Sequence, residues 1–289
     1  MVENILGKFL LESGRIDEQK FHQVLKTQDD TRVKLGLIAV AEGMMTLDQT
    51  NEVNILQSAM DQRFGDIAVA KGYLTDDQVQ YLLKKQGNPY MTFIQTLVDL
   101  GVIEMSELDS VIEEFRVKSG FTAEQLDAFK SGDVNKIVPL FLPEECNRYS
   151  TIICTVVRTL IRLVNRNAYV GRAEVVSEFP DKDQVNQSLT WDEGIVDCFS
   201  EGTGGLIDLC SVFAHEEFTV LDEDSLDAAG ELLNCINGLH VSALSRRGIF
   251  LEINPPEYTK FESEKLQTIC RIPIYLDDKS LYYTVADII

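Results

Sequence analysis

Glu231 and Asn234 are the two residues of this 289-residue chain whose types and spacing best suit chemistry. They lie three residues apart in the segment DSLDAAGELLNCINGLHVSALSRRG, where apolar residues recur at helical intervals. Residues three apart project from the same side of an α-helix. A carboxylate accepts hydrogen bonds, and a carboxamide both donates and accepts them. The pair can therefore hold a polar group, and the alternative interpretation is an ordinary solvated helix face.

The predicted helix spans about residues 225–246 and carries a narrow polar stripe. At about 100° per residue, six residues of the helix fall within an arc of roughly 80°: Asp227, Glu231, Asn234, Gly238, Ser242 and Ser245. A glycine inside a helix costs about 1 kcal/mol relative to alanine. Gly238 therefore indicates either an approaching partner or close packing against another helix.

The string GELLNCING resembles the ExxN signature of the CheX and CheC chemotaxis phosphatases. In that family an apolar residue and a glycine follow the Glu and the Asn, as Ile236 and Gly238 do here. The resemblance covers approximately residues 146–289 and is closest to the single-motif CheX type. It implies hydrolysis of the aspartyl phosphate on the receiver domain of a response regulator. Asn234 would orient a water in line with the phosphorus, and Glu231 would grip a lysine of the receiver.

The resemblance also implies roles for partner and cofactor. Glu231 and Asn234 are the predicted catalytic residues, and Asp227, Gly238 and Ser242 are the predicted partner-docking residues. The partner is a phosphorylated receiver domain, which supplies its own Mg²⁺, so no metal site or cofactor of the chain's own is predicted. A homodimer is a further prediction. The alternative function is a non-catalytic adaptor, for which the catalytic pair would be dispensable.

A second pattern occupies the first part of the chain. Four glycines stand at a constant interval of 29 residues: Gly14, Gly43, Gly72 and Gly101. Self-similarity at periods of roughly 20 to 50 residues is typical of stacked repeats. Each block predicts a short apolar helix, a glycine turn and a second helix behind a capping residue such as Thr46. Because one hairpin cannot bury its apolar face alone, residues 1–118 are predicted to form four stacked helical-hairpin repeats.

The repeat blocks are similar to the N-terminal domains of type II secretion ATPases, which include the MshEN module that binds cyclic di-GMP. That module opens with Arg-Leu-Gly, and two blocks match this opening in part. The resemblance implies that a glycine admits the ligand to the backbone while a basic residue faces a phosphate. The predicted nucleotide-binding residues are Lys34, Leu35, Gly36, Arg63 and Gly65. The repeats are predicted to be a docking or sensory module or to be purely architectural, and the alternative is a binding protein that responds to cyclic di-GMP.

The second half of the chain has a different pattern. Long helical segments alternate with strand-like stretches such as IFLEI, LQTICRIPIYL and SLYYTVADI. This order predicts an α+β domain over residues 144–289, CheX-like by the resemblance, with long helices and an antiparallel sheet. Residues 119–143 are predicted to be a linker with one short helix, followed by Pro139 and Pro143. The predicted fold class is therefore multi-domain, with all-α repeats preceding an α+β domain.

Composition narrows the partners and the compartment. A net charge of −21 disfavours nucleic acid polymers, whose phosphates attract basic patches. No apolar run reaches the ~18 residues that would predict a membrane span. The start MVENILGKFLLESG lacks the basic leader of a signal peptide. The six cysteines are scattered, which is typical of reduced thiols and argues against a zinc site. We therefore predict a cytoplasmic bacterial signalling protein.

Overall fold

The computed structural model describes residues 1–60, 62–190, 194–259 and 261–289. The chain divides into two compact units, one of Val2–Gly132 and the other of Asp133–Ile289 together with Met1. The division falls inside the segment 119–143 that was predicted to be a linker.

Helices are the only regular secondary structure in the described residues of the first unit. Its α-helices are α1 (Val2–Glu12), α2 (Glu18–Thr27), α3 (Leu35–Ala41), α4 (Leu47–Ala59), α5 (Phe64–Ala70), α6 (Asp76–Lys85), α7 (Pro89–Asp99), α8 (Leu108–Ser119) and α9 (Ala123–Lys130). A 3-10 turn, Gln28–Asp30, follows α2.

Local sequence signals explain where these helices end and begin. The four periodic glycines follow α1, α3, α5 and α7 and have φ values between 65° and 73°. Glycine adopts this left-handed conformation without a Cβ penalty. Thr46 and Thr75 then form capping boxes with Gln49 and Gln78, which satisfy the first free N–H groups of α4 and α6. The stacked-repeat architecture as a whole stays a prediction.

The second unit combines helices with a sheet. Its α-helices are α10 (Val134–Ile137), α11 (Ser150–Leu163), α12 (Gly205–Ala214) and α13 (Glu223–Ser245). Its strands are β1 (Tyr169–Val170), β2 (Glu174–Val176), β3 (Gln184–Thr190), β4 (Gly194–Glu201), β5 (Glu252–Ile253), β6 (Leu266–Leu276) and β7 (Lys279–Ile288). The strands lie in the order β1-β6-β7-β4-β3-β5, and β2 also pairs with β6. Every strand pairing between described residues is antiparallel. The predicted combination of helices with an antiparallel sheet is confirmed.

One hydrophobic core joins α11, α12 and α13 to a face of this sheet. On β3, Val185 and Leu189 belong to that core, because alternate residues of a strand point to the same face. Gln187 lies between them on the same face and is also fully buried. A buried amide needs hydrogen-bond partners, and the functional-site geometry depends on which partners it finds.

Cys146 and Cys270 form a disulfide between the 3-10 helix Glu144–Tyr149 and strand β6. For these two residues the prediction of reduced thiols is wrong. They are 124 residues apart in the chain, so only the folding of the sheet against the helices brings them together.

No helix within the described ranges is long and apolar enough to cross a bilayer.

Candidate functional site

Helix α13 carries the predicted catalytic pair and begins at a capping box. Asp222 accepts a hydrogen bond from the backbone N–H of Ser225, whose side chain in turn accepts one from the backbone N–H of Asp222. The helix extends over Glu223–Ser245, close to the predicted span. On its apolar side, Leu232 and Ile236 are fully buried in the core of the second unit, whereas Leu239 further along the helix is exposed. The opposite side must therefore carry any site on this helix.

Glu231 and Asn234 are both exposed on α13, as are the predicted docking residues Asp227 and Ser242. Gly238 is half-buried, and a Cβ atom built there would meet nothing within 4 Å among the described residues. Packing against another helix of the described chain therefore does not explain Gly238. The structure brings all five residues onto one side of a single helix.

One end of this stripe is bordered by residues 254–259. The hydroxyl of Tyr258 donates a hydrogen bond to Oδ1 of Asp227 at 3.0 Å. A Cβ atom at Gly230 would lie 3.2 Å from Cβ of Pro256, so this glycine permits the close crossing. Burial and the hydrogen bond to Asp227 raise the pKa of Tyr258 to about 12. Asp227 is thus already partnered by a neutral phenol of the same chain.

A cavity of about 540 Å³ lies beside Glu231. Its lining residues come from α12, from the segment that follows it and from α13: Phe213, Ala214, Glu216, Glu217, Phe218, Asp224, Asp227, Ala228 and Glu231. Five of these nine side chains are acidic. An acidic wall of this kind favours a cationic group on whatever surface approaches Glu231.

Asn234 is exposed, yet its side chain is held from inside the molecule. The Nε2 atom of Gln187 donates a hydrogen bond to Oδ1 of Asn234 at 3.1 Å. The same Nε2 donates to the backbone carbonyl oxygen of Asn254 at 2.7 Å. Gln187 therefore connects β3, α13 and the segment after β5 through one amide group.

A buried polar network continues behind Gln187. The Nδ2 atom of Asn237 donates to Oε1 of Gln187 and to Oδ1 of Asp197, both at 2.9 Å. The hydroxyl of Tyr283 donates to Oδ2 of Asp197 at 2.7 Å. Burial raises the pKa of Asp197 to about 7, although the hydrogen bonds from Asn237 and Tyr283 act in the opposite direction.

Sequence reasoning missed Gln187, Asn237 and Asp197. The available signal was a polar residue between Val185 and Leu189 on an alternating strand, which indicates a polar group on a core-facing position. That signal predicts that the amide of Gln187 is buried, but it does not predict which residues form hydrogen bonds with it.

The predicted nucleotide-binding residues meet in the first unit. Lys34, Leu35, Gly36, Arg63 and Gly65 all line one cavity of about 970 Å³. Arg32 also lines this cavity, so three basic side chains surround it. Lys34 forms an ion pair with Asp99 at 2.8 Å, whereas Arg32 and Arg63 form none with the described residues.

Gly36 and Gly65 have a packing role in this cavity wall. A Cβ atom at Gly36 would lie 2.6 Å from Cγ2 of Thr50, and one at Gly65 would lie 2.9 Å from Cγ1 of Val79. Real Cβ atoms do not approach neighbours this closely in a well-packed interior. The close approach of helices therefore accounts for these two glycines without a ligand.

No family model matches the sequence, and none of the curated proteins matches it. Among solved structures, about half of the chain is similar to a CheC-like superfamily protein from Shewanella sp. PV-4, with 12% identity over 50% of this chain and 98% of that one and a TM-score of 0.42. The chemotaxis protein CheX from Desulfovibrio desulfuricans gives 13% identity, coverage of 48% and 97%, and a TM-score of 0.40. A CheX–CheY–BeF3–Mg²⁺ complex from Borrelia burgdorferi is 17% identical, over 48% of this chain and 96% of that one, with a TM-score of 0.40. Values this low leave activity and partner to be argued from the chain's own residues.

Proposed function

We propose that residues 144–289 hydrolyse the aspartyl phosphate of a response-regulator receiver domain, with Glu231 and Asn234 as the catalytic pair. The observation that carries the proposal is their common exposure, three residues apart, on one side of a helix that buries Leu232 and Ile236 on its other side. Two polar side chains in this arrangement can enter a partner's site together.

The reaction needs little chemistry from this chain. A water oxygen attacks the phosphorus, the bond between phosphorus and the aspartyl oxygen breaks, and inorganic phosphate and a free carboxylate result. The receiver contributes the phosphoryl group, its Mg²⁺ and a lysine. Catalysis then depends mainly on positioning and on charge stabilisation. Asn234 orients the water, and Glu231 binds the lysine of the receiver.

The surroundings of the pair suit a basic partner surface. Asp227, Gly238 and Ser242 flank the pair along α13 and are proposed to contact the receiver. The acidic cavity beside Glu231 would attract the lysine side of that surface and exclude acidic ones. Gly238 leaves open space one turn beyond Asn234, where a partner can approach the helix backbone.

The test incubates the protein with a phosphorylated receiver and follows the loss of phosphate. We expect the wild type to accelerate hydrolysis, and Asn234→Ala to reduce the rate constant by about 100-fold, as loss of one positioned polar group does in other enzymes. Glu231→Gln should weaken the reaction as well, while Glu223→Gln, on the same helix and also exposed, should not.

Two other outcomes would each contradict the proposal. Equal decay with and without the protein, across several receivers, would remove the phosphatase activity. Tight receiver binding with an unchanged phosphate lifetime would instead favour the non-catalytic adaptor.

For the first unit we propose, as a second function, binding of cyclic di-GMP in the cavity lined by Lys34 and Arg63. The supporting observation is that all five predicted residues border one cavity, of a volume typical of ligand sites. Arg32 and Arg63, which form no ion pair with the residues that the structure describes, suit a ligand with two phosphates.

Calorimetry with cyclic di-GMP tests this second function. We expect heat of binding with the wild type, and its loss in Arg63→Ala but not in Lys26→Ala, a change at an exposed lysine of the same unit that does not line the cavity. Absence of heat with the wild type would leave protein docking or architecture as the role of this unit.

Homodimer formation and localisation stay predictions.

A further inference from the structure

The buried network fixes which atom of Asn234 faces outward. Within this network, the backbone carbonyl oxygen of Asn254 only accepts hydrogen bonds. The Gln187 atom that lies 2.7 Å from it must therefore be the donor Nε2. Since the same atom also reaches Asn234, the Asn234 atom that faces it must be the acceptor Oδ1. The Nδ2 group of Asn234 consequently lies on the outer edge of the amide.

The other end of Gln187 is fixed independently. Its Oε1 atom accepts from Nδ2 of Asn237, which also donates to Oδ1 of Asp197. Tyr283 occupies the second oxygen of Asp197. All four of these residues are fully buried. A flip of the Gln187 amide would place two acceptors against each other at Asn254 and two donors against each other at Asn237, and such unmet buried groups are costly.

We propose that Gln187 is a positioning residue for the reaction, and that Asn237 and Asp197 behind it keep Gln187 in the orientation that turns the amide nitrogen of Asn234 outward. This inference rests on the proposed phosphatase function for its chemical consequence. An outward Nδ2–H can donate to the oxygen of the attacking water or to a phosphoryl oxygen. A water held in this way keeps a second lone pair for the phosphorus.

The advantage of such positioning is that the amide is oriented before the receiver arrives. An exposed asparagine without an internal partner samples several rotamers, and a catalytic step must then order it. A single internal hydrogen bond biases this equilibrium modestly. We therefore expect loss of Gln187 to lower kcat about two- to tenfold, without changing how the receiver docks.

The test compares Gln187→Met with Gln184→Met. Both glutamines are buried on β3, but they lie three residues apart and so face opposite sides of the sheet. Asparagine-selective ¹⁵N labelling reports the side-chain amide of Asn234, and Asn234→Ala identifies its signal. We expect this signal to shift in Gln187→Met and to stay at its wild-type position in Gln184→Met. An unshifted signal in folded Gln187→Met would overturn the inference.

A kinetic comparison on the same variants separates positioning from a general structural role. With a phosphorylated receiver, Gln187→Met should lower kcat about two- to tenfold at an unchanged KM, and Gln184→Met should leave both at wild-type values. A raised KM with unchanged kcat, or equal losses in both variants, would overturn the inference.

Two controls keep the test decisive. If Gln187→Met does not fold, Gln187→Asn retains a buried amide but is one methylene shorter, so it serves the same comparison. If the wild type does not accelerate hydrolysis at all, the proposed function fails. The Asn234 amide signal then still decides whether Gln187 holds that side chain.

Discussion

At the scale of single residues, the two members of the proposed catalytic pair, Glu231 and Asn234, differ in how their side chains are held. Asn234 is exposed but is bonded from inside by Gln187. Within the described part of the chain, no side chain hydrogen-bonds the carboxylate of Glu231. An amide held by an internal hydrogen bond suits the orientation of a small water, whereas a carboxylate without one can adjust to a long, flexible lysine.

Asn234→Asp tests the role of the outward nitrogen. The carboxylate can still accept from Gln187, but it loses both N–H donors and places negative charge near a phosphoryl group. We expect hydrolysis to slow by about 100-fold with an almost unchanged melting temperature. Receiver dephosphorylation and thermal unfolding measure the two effects. Asn51→Asp, at an exposed site on α4, is the matched control, and wild-type hydrolysis by Asn234→Asp would exclude the donor role.

Two buried titratable groups of the second unit have opposite effects on its stability. Burial raises the pKa of Asp197 to about 7 and lowers that of His240 to about 4. From about pH 4 to 7, folded Asp197 keeps a proton that the unfolded chain has lost, so its contribution to the free energy of unfolding falls as pH rises. From about pH 4 to 6.5, unfolded His240 binds a proton that the folded chain excludes, so its contribution rises.

Asp197→Asn abolishes the titration at residue 197 and leaves that of His240 in place. We expect the variant to gain stability relative to the wild type as pH increases from about 5 to about 7, by up to about 1.4 kcal/mol per pH unit. Urea unfolding of both proteins at several pH values measures this difference. A difference that does not vary with pH would show that Asp197 is ionised in the folded protein throughout this range.

At the scale of elements, α13 serves both the core and the site. Leu232 and Ile236 lie in the core on one side of the helix, and Glu231 and Asn234 are exposed on the other. Because the buried side fixes the helix rotation, the polar stripe has one orientation relative to the sheet. Strand β3 contributes Gln187, which donates a hydrogen bond to the side chain of Asn234 from within the molecule.

Gly238→Ala tests whether this helix docks a partner at Gly238. Since a Cβ atom there meets no described atom, we expect an increase in stability of up to about 1 kcal/mol from the better helix propensity. If the receiver approaches the backbone at this position, KM should rise at the same time. Thermal unfolding and steady-state kinetics measure the two effects.

Gly230→Ala is the comparison on the same helix. Its Cβ atom would lie 3.2 Å from Pro256, so no such gain in stability is expected. An unchanged KM in Gly238→Ala would remove Gly238 from the docking residues.

At the scale of the whole molecule, negative charge dominates, with a net value of −21. Part of this charge is concentrated in the cavity beside Glu231, where Glu216, Glu217 and Asp224 also lie. The acidic residues around Glu231 therefore attract a basic partner surface over a long range toward the proposed site.

Ionic strength tests this attraction. The Debye length shortens from about 30 Å at 0.01 M to about 10 Å at 0.1 M salt. We expect KM for the phosphorylated receiver to rise over this range, while kcat, which is measured when the protein is saturated with receiver, changes little. The double change Glu216→Gln with Glu217→Gln should reduce the salt dependence. A KM that is independent of salt would argue against electrostatic docking.

The sequence by itself determined the features that depend on near neighbours in the chain. The capping boxes at Thr46 and Thr75, the left-handed glycines and the polar stripe of α13 all follow from contacts within about four residues. The same local spacing was enough to place Glu231 and Asn234 on the accessible side of one helix.

Only the tertiary structure decided what lies behind that stripe. Gln187 is 47 positions from Asn234, and Asn237 is 40 positions from Asp197. The disulfide between Cys146 and Cys270 spans a still longer separation. Such pairings depend on strand register and on how the helices pack against the sheet. Strand register and helix packing are set by many buried residues acting together. No short stretch of sequence could therefore identify which residue Gln187, Asn237 or Cys146 would contact.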